Sequence, residues 1–228
     1  MVSLIRSVSM NLRYGKEEFW FLGVVCTLVN TVSWKQAEGM LAAGAIGVLP
    51  TDTIYGLHGR ADDPAMIERM FEVRRRDAGK PFVVLVGRVG DVMSLGIEVN
   101  DRTLSTLERI WPAPVSVVLP CVREDIAYLH RGTESLALRM PDQPKLLSVL
   151  QAIGPLASTS ANHAGKSPAR TIEEAQSYFG NDIDFYVEGG VLPGDPSTII
   201  SFDMDGKLQV LREGAFKLNE SENYLCTV

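Results

Sequence analysis

"STSANHAGKSPAR", residues Ser158–Arg170, is the stretch on which the fold turns. Its Gly165-Lys166-Ser167 is the tail of a phosphate-binding P-loop, but the first glycine such a loop needs is here Ser160. A P-loop wraps phosphate in glycine amides and begins a helix at its Lys-Ser. In this chain Pro168 follows Ser167 directly, and a proline pushes the residue before it out of the helical region. Thr171-Ile172-Glu173-Glu174 reads as a capping box, so the helix starts later. The P-loop reading fails on both counts. What remains is an irregular loop leaving a short strand at Leu156–Ser158, where α/β sheets bind ligands. Ser158, Thr159, Ser160 and Asn162 can hydrogen-bond a sugar, base or phosphate, or merely satisfy their own turn.

Outward from that loop, strand and helix signals alternate. Ser33 and Gln36 make a capping box for a helix carrying Ala37, Met40 and Leu41 and stopped by Gly44. "AIGVL" (Ala45–Leu49) reads as a buried strand running into the loop "PTDTIYGL" (Pro50–Leu57). Asp63-Pro64 opens a helix with Ile67, Met70 and Phe71 inward, ending at Arg74-Arg75-Arg76. Strands are expected at Lys80–Gly87, Pro114–Pro120 and Glu134–Pro141. One helix, capped by Asn100 or Asp101, points Leu104, Leu107 and Ile110 inward. Another, capped by Asp142, buries Leu146, Leu147, Leu150 and Ile153. Ser197–Gly214 reads as a hairpin turning at Asp205-Gly206. The class is α/β, in one domain over about 31–215. Residues 1–30 are expected to be an N-terminal extension and 216–228 a polar tail.

Bulk composition narrows the function classes. The chain has 228 residues, 46% hydrophobic, with net charge −6. Its whole surface is no magnet for nucleic acid, although a local basic patch can be. Cys26, Cys121 and Cys226 form no CxxC and are odd in number, against a disulfide framework or zinc site and for a reducing cytoplasm. His58, His130 and His163 are scattered. The apolar run Phe19–Val29 is shorter than the roughly 20 residues that span a bilayer. It lacks a clear cleavage site, so no membrane partner is expected.

Three groups of residues carry potential chemistry. "PTDTIYGL" packs Thr51, Asp52, Thr53 and Tyr55 together, hydroxyls suited to a small polar molecule or to a plain polar turn. Arg74, Arg75, Arg76 and Lys80 form a dense basic cluster. Arginine forks match phosphate, RNA is a second target, and a solvated helix end favoured by the macrodipole is the plain alternative. Arg139 leaves the apolar run "LAL" and needs a partner. No Ser-His-Asp triad, paired-carboxylate site or zinc site is visible. The available chemistry is positioning and charge neutralisation around phosphate.

Together, "PTDTIYGL", the basic stretch ending in "KP", "SAN" within "STSAN", "PST" (Pro196–Thr198) and "LREG" (Leu211–Gly214) occur in the order of one family. The chain resembles the YrdC/TsaC family of L-threonylcarbamoyladenylate synthases over about Trp34–Ala215. The resemblance implies a twisted mixed sheet with flanking helices, in the short single-domain type. It implies a reaction of L-threonine, bicarbonate or CO2 and ATP, with Mg2+ held by the ATP phosphates. The product is threonylcarbamoyl-AMP with release of pyrophosphate. That product would be handed to a tRNA threonylcarbamoyltransferase, with weak tRNA contact possible. By the same resemblance Thr53, Thr51, Tyr55, Ser160, Ser197 and Arg139 serve threonine. Arg74, Arg76, Lys80, Asn162 and Arg212 serve ATP, and no protein residue binds the metal. Three departures stand out: Arg74 replaces the family's lysine, "GKSPART" is shortened or shifted, and the N-terminal extension has no counterpart. The competing readings are an RNA-binding module using the same basic site, and the carbamoyl-adenylate chemistry of hydrogenase maturation.

Overall fold

A computed structural model describes residues 19–21, 24–26, 30–75, 81–202 and 208–217. Arg76, Lys80 and the expected turn at Asp205-Gly206 lie outside the described residues. In chain order the elements are β1 (Phe19–Phe21), β2 (Val24–Cys26), α1 (Trp34–Ala42), β3 (Gly47–Pro50) and β4 (Tyr55–Arg60). Next come α2 (Pro64–Arg74), β5 (Val83–Leu85), α3 (Asp91–Ser94), α4 (Asp101–Ile110) and β6 (Val115–Pro120). A 3-10 turn (Glu124–Ile126), α5 (Ala127–His130), β7 (Ser135–Arg139), α6 (Pro144–Ile153) and β8 (Leu156–Ser160) follow. The last are α7 (Ile172–Phe179), β9 (Phe185–Tyr186), β10 (Thr198–Phe202) and β11 (Leu208–Arg212).

Nine strands form one mixed sheet in the order β11-β10-β6-β7-β5-β8-β4-β3-β9, while β1 and β2 pair separately. Three pairs are parallel (β10 with β6, β5 with β7, β3 with β9) and the other five antiparallel, three of them in succession from β5 through β8 and β4 to β3. Successive strand residues point to opposite faces, and this alternation builds two cores. On one face Val48, Leu57, Val84, Leu138 and Ala157 pack under helices α2, α4 and α7. On the other, Leu49, Leu85 and Leu156 pack under α1 and α6. Ile67, Met70 and Phe71 are buried as expected from the α2 pattern. Each such side chain contributes about 1.5–3 kcal/mol when taken from water.

Several sequence expectations shift. "PTDTIYGL" is not a loop throughout: β3 turns at Thr51–Ile54 and returns as β4, paired antiparallel. Asp63 caps α2 through Ala65 and Met66, and Asn100 caps α4 through Thr103. The cap of α6 is Gln143 rather than Asp142, because its side-chain oxygen reaches the amides of Lys145 and Leu146. The inward face of α4 is Thr103, Thr106, Leu107 and Ile110, and Leu104 is only half-buried. In α6, Val149 takes the buried place expected for Leu147. Thr171 caps α7, but Glu174 returns its carboxylate to the amide of Arg170 rather than closing a reciprocal box. No helix starts at Lys166-Ser167, since α7 begins at Ile172.

Candidate active site

The face that carries α1 and α6 turns polar toward one end. Register rows show this directly. Leu156, Leu85 and Arg139 stand in line across β8, β5 and β7. Ser116, Ile199 and Arg212 stand in line across β6, β10 and β11. Apolar residues in these rows give way to arginine and serine past the cover of α6.

The β3–β4 turn is built by Thr51. Its hydroxyl accepts from the amides of Thr53 at 3.1 Å and Ile54 at 3.2 Å, and lies 2.7 Å from the Ile54 carbonyl. A hydroxyl replacing a backbone partner in this way fixes a tight turn. Thr51 is therefore used internally, and its oxygen touches that of Thr53 at 2.9 Å. Arg139, 6% exposed at the end of β7, meets this turn. Its Nη1 donates to Thr53 Oγ1 at 3.2 Å and its Nη2 is ion-paired with Asp52 Oδ1. Arg139 Nε and Asp52 Oδ2 are buried without a hydrogen-bond partner.

A second arm comes from β6, β10 and β11. Ser116 and Ser197 share a hydroxyl contact at 3.0 Å, and Arg212 Nη2 donates to the Ser197 carbonyl at 2.6 Å. Burial first, and then the charge of Arg139, lower the Arg212 pKa. The two guanidiniums thus feel one another across the site, a field that favours an anion between them.

The Ser158–Arg170 loop forms the third arm. Arg74 is 5% exposed, so it is no solvated helix end. Its Nε donates to the Asn162 carbonyl at 2.9 Å, and Nη2 to Asn162 Oδ1 at 3.1 Å and Ser160 Oγ at 3.3 Å. Its Nη1 contacts Thr159 Oγ1. The Asn162 amide nitrogen donates to the carbonyls of His163 at 2.8 Å and Lys166 at 2.7 Å. Arg74 and Asn162 are thus spent on shaping the loop that presents Ser160. Lys166 is exposed and contributes its carbonyl.

Tyr55 lies on the opposite face, fully buried. Its hydroxyl donates to the Gly190 carbonyl and accepts from the Gly189 amide, each at 2.9 Å. Burial pushes its pKa up to about 12, so it stays a donor. It acts on the site by pinning the segment that leads to Ser197. Thr53 helps on the other side, its carbonyl accepting from Gly194 N at 3.4 Å.

Sequence reasoning passed over three residues. Asp52 was visible within "PTDTIYGL" but received no role. Ser116 is a lone hydroxyl in the apolar run "PVSVVLP", a signal that reads only once the sheet order sets it beside Ser197. His58 is 0% exposed, with neither ring nitrogen hydrogen-bonded. Its Nε2 lies 2.6 Å from where a Gly56 Cβ would stand, so the ring occupies the space that glycine leaves. Burial first pushes its pKa down to about 3, and Arg139 adds to this. The signal was a histidine inside an otherwise apolar strand.

This geometry defines a class: an α/β protein with two arginines, Arg139 and Arg212, held beside hydroxyl-bearing residues at one end of its mixed sheet. A family model, Sua5/YciO/YrdC, described as telomere recombination, matches residues 39–214, and the chain belongs to that family. It is 32% identical over 193 residues to the threonylcarbamoyl-AMP synthase of Mus musculus, covering 81% of this chain and 68% of that one. It is 28% identical to the Bacillus subtilis threonylcarbamoyl-AMP synthase, covering 81% of this chain and 53% of that protein. Among solved structures it is similar to Sua5 of P. abyssi complexed with L-threonine. The TM-score is 0.77 and the identity 26%, over 87% of this chain and 60% of that one. The chain therefore spans little more than half the length of the Bacillus and P. abyssi relatives.

Proposed function

We propose that this chain is an L-threonylcarbamoyladenylate synthase, a nucleotidyl-transferring enzyme of tRNA modification. Threonine's amine takes up CO2 from bicarbonate to give a carbamate. A carbamate oxygen attacks the α-phosphorus of ATP and pyrophosphate leaves with the electron pair of the broken P–O bond. No covalent enzyme intermediate is required, which suits a site with no activated nucleophile among its described residues.

The observation that carries this reading is the Arg139–Thr53 contact, with Arg212, bonded to Ser197, within reach of Arg139's charge, in a chain of this family. Arg139, Thr53 and Ser197 would hold threonine. Arg212 would meet the nucleotide phosphates, with Arg76 and Lys80. Ser160, set by Arg74 and Asn162, would lie between the two substrates. Arginines already fixed by hydrogen bonds stabilise charge developing on phosphate without reorganising. Among the described residues no three His, Cys, Asp or Glu side chains converge. That donor set suits a Mg2+ carried by phosphate oxygens rather than by a protein cage. Bound there, Mg2+ would draw charge from the phosphates and ease the displacement. The product would pass to a tRNA threonylcarbamoyltransferase, and the place of action would be the cytoplasm.

Incubation with ATP, Mg2+, bicarbonate and L-threonine tests the reading. Pyrophosphate release that requires both threonine and bicarbonate is expected. Release indifferent to threonine would sink it.

A further inference from the structure

The Asp52–Arg139 pair is only half satisfied. One contact, Nη2 to Oδ1, joins them. Arg139 Nε and Asp52 Oδ2, both buried, have no hydrogen-bond partner. The two side chains are 7% and 9% exposed, so water does not complete them from bulk. A buried ion pair repays its desolvation only when its remaining protons and lone pairs are also met. Here one donor and one acceptor are left over.

What would satisfy both has a defined chemistry. The donor edge needs an anionic acceptor, and the carboxylate oxygen needs a cationic or N–H donor. An α-amino acid carries the two on one carbon. Inserting a zwitterion also keeps the charge in balance. Arg139–Asp52 becomes Arg139–carboxylate and ammonium–Asp52, so that each charge is paired before binding and after it. Arg212, whose pKa is lowered by burial and then by Arg139's charge, adds to the pull on the carboxylate end. Thr53, already on Nη1, fixes the plane of the guanidinium.

We propose that Asp52 is a substrate-binding residue: it takes the α-amine of the amino acid while Arg139 takes the α-carboxylate, by insertion into their ion pair. The identity of that amino acid as threonine rests on the function proposed above. The role of Asp52 rests on the two unmet atoms.

Calorimetry without ATP tests this on the whole protein. L-Threonine is compared with 3-hydroxybutyrate, which lacks the amine, and 1-amino-2-propanol, which lacks the carboxylate. The wild type should bind threonine at least tenfold more tightly than either. Asp52→Asn should lose at least tenfold for threonine, bringing it level with 3-hydroxybutyrate, whose own affinity is not reduced. A purely structural role would lower both affinities together. Asp52→Ser, with melting temperature and ATP binding measured alongside, serves as the second variant. Equal wild-type affinity for threonine and 3-hydroxybutyrate overturns the proposal, whatever the variants do. So does an Asp52→Asn protein that still discriminates. Zwitterion selectivity together with threonine-independent pyrophosphate release would instead overturn the synthase reading alone.

Discussion

Arg74 grips Asn162 twice, through Nε to the backbone carbonyl at 2.9 Å and through Nη2 to the side-chain oxygen at 3.1 Å. The same guanidinium reaches Thr159 and Ser160. A lysine ammonium on its flexible stem cannot span this set of acceptors. Arg74→Lys is expected to cost about 2 kcal/mol. It should appear as a lower urea midpoint at unchanged slope, together with a raised KM for ATP. An unchanged midpoint would mean the loop does not depend on the fork.

Removing one oxygen should loosen the opposite wall. Tyr55→Phe strands the Gly190 carbonyl and leaves the Gly189 amide with Glu188 Oε1, at 3.1 Å, as its remaining acceptor. The expected cost is about 1–3 kcal/mol in stability. Since this segment leads to Ser197, KM for threonine should rise severalfold while kcat stays within about twofold of wild type. Steady-state kinetics with threonine varied would check it. A fall confined to kcat would contradict the pinning role.

His58 makes stability depend on pH in a stated direction. Its pKa is pushed from 6.5 down to about 3 by burial. Below 6.5 the unfolded chain takes up a proton that the folded ring refuses. The full contribution is therefore present above 6.5 and is lost progressively down to about 3. From pH 7 to pH 5 the wild type should lose about 2 kcal/mol more than His58→Leu. Urea titrations at the two pH values give the answer, and parallel losses would show that His58 does not stay neutral.

Gly47 is required by the ring beside it. A Cβ there would stand 2.3 Å from Phe185 Cζ and 2.5 Å from its Cε1 and Cε2. Phe185 is fully buried with α1 and α6, so it has no room to withdraw. Gly47→Ala should cost about 1–3 kcal/mol. A thermal melt would register this, and a wild-type melting temperature would refute the steric argument.

Helix starts and buried helical faces were legible because caps and periodicity are local signals. Ser33, Asp63 and Asn100 all cap as expected. The cap at Gln143 was hidden, since Asp142 next to it is the better intrinsic capper. Strand β4 was hidden because "YGLHGR" lacks alternation: its Gly56 makes room for His58. The order of strands is a matter of long-range pairing, and no local pattern announces β10 beside β6. The family motifs singled out a set of residues, of which the structure brings Thr53 to Arg139 and Ser197 to Arg212. Their division of labour was not legible. Arg74 and Asn162 turned out to brace a loop, and Asp52 to face Arg139, because burial decides which polar atoms are already spent.

The far end of the sheet has a consequence for how the protein comes into being. Ser197 and Arg212 arrive on the lead-in to β10 and at the end of β11, packed outside β6. Ribosomes deliver these residues after all the others that line the pocket, and translation proceeds at roughly 5–20 residues per second. A nascent chain that has emerged as far as Tyr186 already carries Thr53, Arg139 and both layers' helices, yet lacks Ser197 and Arg212. On the proposed function, turnover would wait for the last two strands, and a prematurely terminated chain would not consume ATP.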